Sequence, residues 1–272
     1  MHMVRNMKYK VGFIGCGNMA SAIIGGLIKN TNLNPKDIIA ADASVVATQA
    51  AQSNLGIDVT TDNISVAADS KVLFLSVKPQ YYESVISQIK ETLTPEQIIV
   101  TIAPGKTLNW LSDRLGSNIK IIRTMPNTPA LVGEGITGVC KNELVTDEEF
   151  TYVMSLLGSF GLAEAIPETL MDAVVSVSGS SPAYVFMFIE AMADAAVADG
   201  MPRNQAYKFA AQAVLGSAKM VLETGKHPGE LKDMVCSPGG TTIEAVRVLE
   251  EKGFRSAVMD AMKACTAKAK GI

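Results

Sequence analysis

Lys10-Val11-Gly12-Phe13-Ile14-Gly15-Cys16-Gly17-Asn18-Met19-Ala20 decides how this chain folds. A short β-branched and aromatic run breaks into Gly-x-Gly-x-x-Ala, and apolar residues then recur at helical spacing (Ala22, Ile23, Leu27, Ile28). That is the pattern of a first strand, a tight phosphate turn and a first helix in a Rossmann dinucleotide-binding domain. Gly15 permits the turn, and Gly17 lets backbone approach a diphosphate with no Cβ in the way. Ala20 is small enough for helix and strand to pack closely. The anion would sit on the unpaired N–H groups at the helix start.

Working outward, Ile38 to Ala41 reads as a second strand ending at Asp42, 22 residues past Ala20. This is where such a fold places the acid that holds the adenosine ribose. An Asp closing a strand is also an ordinary turn residue, so its surroundings matter. No Lys or Arg lies between Lys36 and Lys71, whereas Asp37, Asp42, Asp58, Asp62 and Asp69 do. A 2′-phosphate there would meet a negative charge and no cationic clamp, which leans the cofactor toward NADH over NADPH. Further strands are expected at Asp58 to Thr60, Val72 to Val77, Ile98 to Thr101, Lys120 to Arg123 and Gly135 to Val139. Helices are expected from about Tyr82 to Thr92, Leu108 to Leu115 and Asp147 to Gly158. This alternation predicts a doubly wound parallel sheet. Lys78-Pro79, Ala103-Pro104-Gly105 and Met125-Pro126-Asn127-Thr128-Pro129 all leave strands at the sheet edge where ligands collect.

From about Pro167 strand signals stop and capped helices follow. One starts at Ser181-Pro182, with Ser181 as its N-cap, and stops at Gly200; it is apolar nearly all round. It is expected to be buried by other helices or by a second subunit. Others run from Arg203 to Glu223, from Pro228, from Thr241 to Lys252 and from Arg255 to Lys268. The expected division is a dinucleotide-binding domain over residues 1–166 and an all-helical domain over residues 167–272.

The bulk properties agree. The 272 residues are 48% apolar and 19% charged, with a net charge of −3 and no basic run. Nucleic acid and anionic membrane are therefore poor partners. No uninterrupted apolar stretch reaches transmembrane length, and the first residues lack a signal-peptide layout. Cys16, Cys140, Cys236 and Cys265 are scattered and only two histidines occur. That argues against a metal site or disulfide framework and for a reduced, cytoplasmic setting.

A second candidate site lies between the later helices, at Cys236-Ser237-Pro238-Gly239-Gly240-Thr241-Thr242-Ile243-Glu244. Thr241-x-x-Glu244 reads as a capping box with Thr241 as N-cap. A Pro-Gly-Gly turn into a helix start exposes consecutive amides, which suits a small carboxylate; an ordinary helix–helix turn would look similar.

Here the sequence resembles the pyrroline-5-carboxylate reductase family. Pro228 to Glu250 matches the family signature position by position. Phe13 to Ala20, Val77 to Gln80, Arg123 to Pro129 and Ser178 to Tyr184 resemble the same family. The resemblance implies reduction of the cyclic imine Δ1-pyrroline-5-carboxylate to L-proline with NADPH or NADH. By matching position, it implies nucleotide contacts at Ile14, Gly15, Cys16, Gly17, Asn18 and Met19, at Asn63, at Ser76, Val77, Lys78 and Pro79, and at Ile102, Ala103 and Pro104. Pro104 departs from the alanine common in the family. Substrate contacts fall on Gly240, Thr241 and Thr242, with Ser237 and Gly239 in the same loop. The implied assembly is a homodimer or larger homo-oligomer of interleaved helical domains, the substrate loop of one subunit meeting the nucleotide domain of another.

Thr242 is the candidate catalytic residue, its hydroxyl serving the ring nitrogen. His227 reads instead as a helix entry, and Glu190 as structural. Two other functions fit parts of the pattern. A β-hydroxyacid dehydrogenase would need a lysine within Gly179 to Ile189, where there is none. A non-catalytic NAD(P)-sensing protein would have no use for the Gly-Gly-Thr-Thr loop.

Overall fold

A computed structural model describes residues 7–271. They form two compact units, residues 7–179 with 266–271, and residues 180–265. The expected domain boundary lay at residue 167; by compactness the break falls after Gly179. Residues 168–179 are tied to the first unit: Arg123 donates to Glu168 Oε1 at 2.8 Å, the Leu108 amide donates to the same oxygen, and Asn127 donates to the Ser178 carbonyl.

The first unit holds an eight-stranded sheet. Its strands are β1 (Tyr9–Ile14), β2 (Ile38–Ala41), β3 (Asp58–Thr60), β4 (Ser70–Leu75), β5 (Ile98–Thr101), β6 (Lys120–Met125), β7 (Gly135–Lys141) and β8 (Gly161–Ala165), in the spatial order 3-2-1-4-5-6-7-8. Helices α1 (Asn18–Asn30), α2 (Val45–Leu55), α3 (Asn63–Asp69), α4 (Tyr82–Ile89), α5 (Leu108–Leu115) and α6 (Asp147–Leu157) connect the strands. Successive strand residues feed opposite apolar layers. Val11, Phe13, Val72 and Phe74 enter one, where the Phe13 and Phe74 rings stack 4.8 Å apart. Ile14, Leu73 and Leu75 enter the other with Tyr82. Strands buried on both faces are what a covered parallel sheet requires.

The sheet departs from all-parallel at one pair. β7 runs antiparallel to β6, while β8 is parallel to β7. The link from β6 to β7 is a 3₁₀ turn (Thr128–Val132) without a crossover helix, so the chain reverses; α6 then supplies the crossover to β8. Strand β8, Gly-Leu-Ala-Glu-Ala, escaped the sequence reading because it is an edge strand with little β-forming character.

The second unit is helical: α8 (Ser181–Ala198), α9 (Arg203–Thr224), α10 (Pro228–Val235), α11 (Thr241–Glu251) and most of α12 (Phe254–Ala269). A single turn, α7 (Met171–Val174), and a π-helical turn (Val175–Gly179) precede α8 in the first unit. The N-cap of α8 is Ser180, not the expected Ser181, because the π turn carries helical backbone up to Ser180. Within this chain α8 buries only Ala193, and Phe186 and Met187 are 63% and 69% exposed. The expected burial of α8 is thus not met inside one chain.

Two glycines of the organising stretch differ in what surrounds them. A Cβ at Gly12 would lie 1.9 Å from Ser70 Oγ, whereas one at Gly17 meets nothing within 4 Å. Gly12→Ala is therefore expected to cost about 1–3 kcal/mol by overpacking, and Gly17→Ala to leave stability near wild type. Denaturant midpoints of the two variants check this; equal midpoints would contradict the packing described.

Candidate active site

Strand β1 delivers the chain into a loop that is braced from three sides. Gly15 has φ +107°, and a Cβ there would come within 2.8 Å of the Ser76 backbone, so only glycine fits. The Gly15 amide donates to the Ala41 carbonyl at 2.7 Å. Ser76, just past β4, donates its amide to the Ile14 carbonyl at 2.9 Å and its hydroxyl to the Gly15 carbonyl at 2.8 Å. Asp42, just past β2, accepts the Cys16 amide on Oδ2 at 2.8 Å and the Ser44 amide on Oδ1 at 2.9 Å. The acid expected to meet a ribose is thus also a strut of the glycine loop.

The N-cap of α1 is Gly17, extended and without a side-chain cap. The amides of the first turn have no intrahelical partners, and the space beside Gly17 is open. A diphosphate fits such a cradle. Two cavities flank it. One, of ≈ 460 Å³, is lined by Ile14, Gly15, Gly17, Asp42, Asn63 and Ser76 to Lys78, among others. The second, of ≈ 270 Å³, shares Ser76 to Lys78 and adds Met19, Pro79 and Ile102 to Pro104. Most of the expected nucleotide contacts are thereby brought together. Cys16 and Asn18 are not among the lining residues. Cys16 is buried, and burial reinforced by Asp42 pushes its thiol up to about 12.

Other lining residues were not among the expected nucleotide contacts. Ala43, Ser44, Tyr81, Ser84, Val85 and Gln88 line the larger cavity, and Met125 to Thr128 and Gly179 the smaller. Asn127 is buried, accepts the Ile136 amide on Oδ1 at 2.9 Å and donates to the Ser178 carbonyl at 3.1 Å. The Met-Pro-Asn-Thr-Pro run was visible as a strand exit; the α4 residues looked like an ordinary amphipathic face.

The second unit carries the other loop. His227 caps α10, its Nδ1 accepting the Gly229 amide at 3.0 Å, as a helix entry requires. After α10 the chain turns at Gly239 (φ +68°), and the Gly240 amide donates to the Ser237 carbonyl at 3.1 Å. The N-cap of α11 is Gly240 and not Thr241, and there is no capping box. The left-handed turn at Gly239 moves the extended cap position one residue earlier, so Glu244 lies one residue too far along and pairs with Arg247 at 3.0 Å. The correction strengthens the anion site. Among the described residues no side chain occupies the first-turn amides, and none is a hydrogen-bond partner of the Thr241 or Thr242 hydroxyl. A Cβ at Gly240 would fall 2.4 Å from Ser237 Oγ, so the turn tolerates nothing larger without shifting.

Glu190 is exposed in the single chain rather than packed inside a helix cluster. No group of three or more His, Cys, Asp or Glu among the described residues could hold a metal. Glu168–Ala198 forms a helical run that by length and composition alone could cross a membrane, with mean hydropathy 1.2. The sequence reading saw no such span because its longest unbroken apolar stretch is short; small and hydroxyl residues extend the run.

Comparison with known proteins bears on these features. The family described as pyrroline-5-carboxylate reductase dimerisation matches residues 168–272, which include the open face of α8. The family described as NADP oxidoreductase coenzyme F420-dependent matches residues 10–105, which include the glycine loop. The pyrroline-5-carboxylate reductase of Escherichia coli (strain K12) is 57% identical over 262 residues, covering 96% of this chain and 97% of that protein. A Plasmodium falciparum pyrroline carboxylate reductase solved with NADP bound is 32% identical, with a TM-score of 0.88 over 97% of this chain and 98% of its own. A pyrroline-5-carboxylate reductase from Coxiella burnetii is 34% identical, with a TM-score of 0.89 over the same shares.

Burial, joined by the nearby Glu168 charge, holds the Cys140 thiol near about 12, like that of Cys16. Alkylation by iodoacetamide at about pH 8 is therefore expected to spare both in the native protein and reach both after denaturation. Mass spectrometry reads the result; rapid native labelling of Cys16 would mean the glycine loop is not packed as described.

Proposed function

The chain belongs to the pyrroline-5-carboxylate reductase family, and we propose that two glycine-capped helix starts divide its work, one holding a diphosphate and the other a carboxylate. As an NAD(P)-dependent oxidoreductase of this family it reduces the cyclic imine of pyrroline-5-carboxylate to proline, a step of proline biosynthesis. When bound, the reduced nicotinamide supplies the hydride. The first-turn amides of α1 and the loop from Ile14 to Met19 take the diphosphate. Asp42 and Asn63 lie toward the adenosine, and Ser76 to Pro79 with Ile102 to Pro104 toward the nicotinamide. Lys78 is the one cation and Asp42 the one carboxylate among the described residues that line the two cavities.

The single observation that carries the substrate assignment is the bare start of α11. Gly240 caps without a side chain, leaving the amides of Thr241 and Thr242 to receive a carboxylate with help from the helix dipole. A protonated cyclic imine is already electrophilic, so the protein needs mainly to orient it and to occupy its ring nitrogen. Thr242, half-buried and with an unpartnered hydroxyl, is suited to that hydrogen bond through Oγ1. Ser237 and Gly239 shape the turn.

Preference for NADH over NADPH is supported by Asp42, which two backbone amides hold in place. A charge about 5 Å from a 2′-phosphate repels it by about 1 kcal/mol even in water. The exposed apolar face of α8, in the region matched by the dimerisation family, supports burial against a second copy in a homodimer or larger ring. The described cysteines are all unpaired, which fits a reduced cytoplasmic setting.

Thr242→Ala is expected to lower kcat by roughly 10- to 1,000-fold, with Thr242→Ser recovering most of it; unchanged kcat would remove the hydroxyl from the chemistry. Asp42→Asn removes the charge and also one of the two amide bonds, since asparagine has a single acceptor oxygen, a loss that both dinucleotides share and that cancels in their ratio. It is expected to raise the NADPH-to-NADH ratio of kcat/KM by up to about tenfold, and a ratio that stays put would refute the charge argument.

A further inference from the structure

We propose that the side-chain amides of Asn63 and Gln88 together read the adenine ring of the dinucleotide, which makes Gln88 a specificity residue for the base. The inference rests on the cofactor site proposed above and adds to it a choice between bases. Asn63 opens α3 just beyond β3, and Gln88 lies on α4. Their amides meet, Asn63 Nδ2 donating to Gln88 Oε1 at 3.0 Å, and both residues line the ≈ 460 Å³ cavity. Tyr81, Ser84, Val85 and Gln88 recur at helical spacing and all line that cavity, so this stripe of α4 turns Gln88 toward it. The stripe is uncharged, with an aromatic ring and an aliphatic side chain. Such a wall suits a flat neutral heterocycle better than a phosphate.

What the amide pair leaves unused decides the base. The bond between them consumes one Asn63 N–H and one lone pair of the Gln88 oxygen. Asn63 Oδ1 remains as an acceptor and Gln88 Nε2 as a donor, and neither has another partner among the described residues. Adenine presents the complement on its Hoogsteen edge, a 6-amino donor beside the N7 acceptor, and carboxamides match that edge well. Turning both amides over exchanges donor and acceptor between the two residues and still leaves one of each. On that edge hypoxanthine presents two acceptors, its 6-oxo group and N7, so the pair's acceptor meets an acceptor whichever way the amides are turned.

Equilibrium titration of the full chain with NADH and with its hypoxanthine analogue, followed by nicotinamide fluorescence, tests this without turnover. Wild type is expected to bind NADH about tenfold more tightly than the analogue. Gln88→Leu, an exchange at an exposed position, should bring the two affinities within about twofold by weakening NADH alone. Equal affinities in wild type, an unchanged ratio in Gln88→Leu, or equal weakening of both ligands would each overturn the proposal. Binding of neither dinucleotide by wild type would instead bring down the cofactor site itself, and this inference with it.

Discussion

Backbone amides that a helix cannot use for itself are the constraint on which this structure turns. Every α-helix begins with N–H groups that have no carbonyl above them, and most proteins silence them with a serine, threonine or aspartate. Ser44, Thr107 and Thr146 do that here for α2, α5 and α6. The helices α1 and α11 do not. Gly17 and Gly240 cap them with extended backbone and no side chain, which leaves two concentrations of hydrogen-bond donors for ligands to satisfy. Side-chain caps are also missing at α4, α8 and α9, where Tyr81, Ser180 and Pro202 stand at the cap, so what sets α1 and α11 apart is a glycine in extended backbone at that position.

Holding an open cap still takes support, and it comes from neighbouring strand ends. In the first unit the ends of β1, β2 and β4 meet at the switch point of the sheet, where Ala41, Asp42 and Ser76 each bond the glycine loop. Three short contacts from two different strand ends leave the loop little freedom to collapse when no anion is present. In the second unit the support is local, a turn closed from Gly240 to the Ser237 carbonyl. The cradle at α1 is therefore rigid by tertiary contact, and the one at α11 by its own four-residue turn.

Much of this was legible in the sequence, for reasons that differ by element. The strands β2 and β5 carry unbroken apolar or β-branched runs, and these two and β3 were found at their observed limits. The glycine loop was legible because backbone space, not side-chain chemistry, is what the glycines supply. Strand β8 was hidden because an edge strand needs neither alternation nor bulk, and Gly161 pairs so closely with Gly135 that no Cβ could fit. The capping box failed because spacing alone cannot reveal that Gly239 would turn left-handed and shift the cap by one residue. Gln88 was invisible because the same stripe that faces a cavity is indistinguishable, in one dimension, from a stripe that faces a core. The apolar character of α8 was read correctly; of the two coverings the sequence allowed, other helices or a second subunit, the first is not met within one chain.

Asp42 gives the enzyme an unusual economy with a cost attached. The same carboxylate that puts a negative charge on the wall of the larger cavity also fastens the glycine turn, so charge and rigidity are inherited as one trait. A lineage crossing to an uncharged residue here must replace a strut at the moment it discards a charge. Sequences that have made that crossing should bear the mark of it in whatever residue now restrains the amide of position 16.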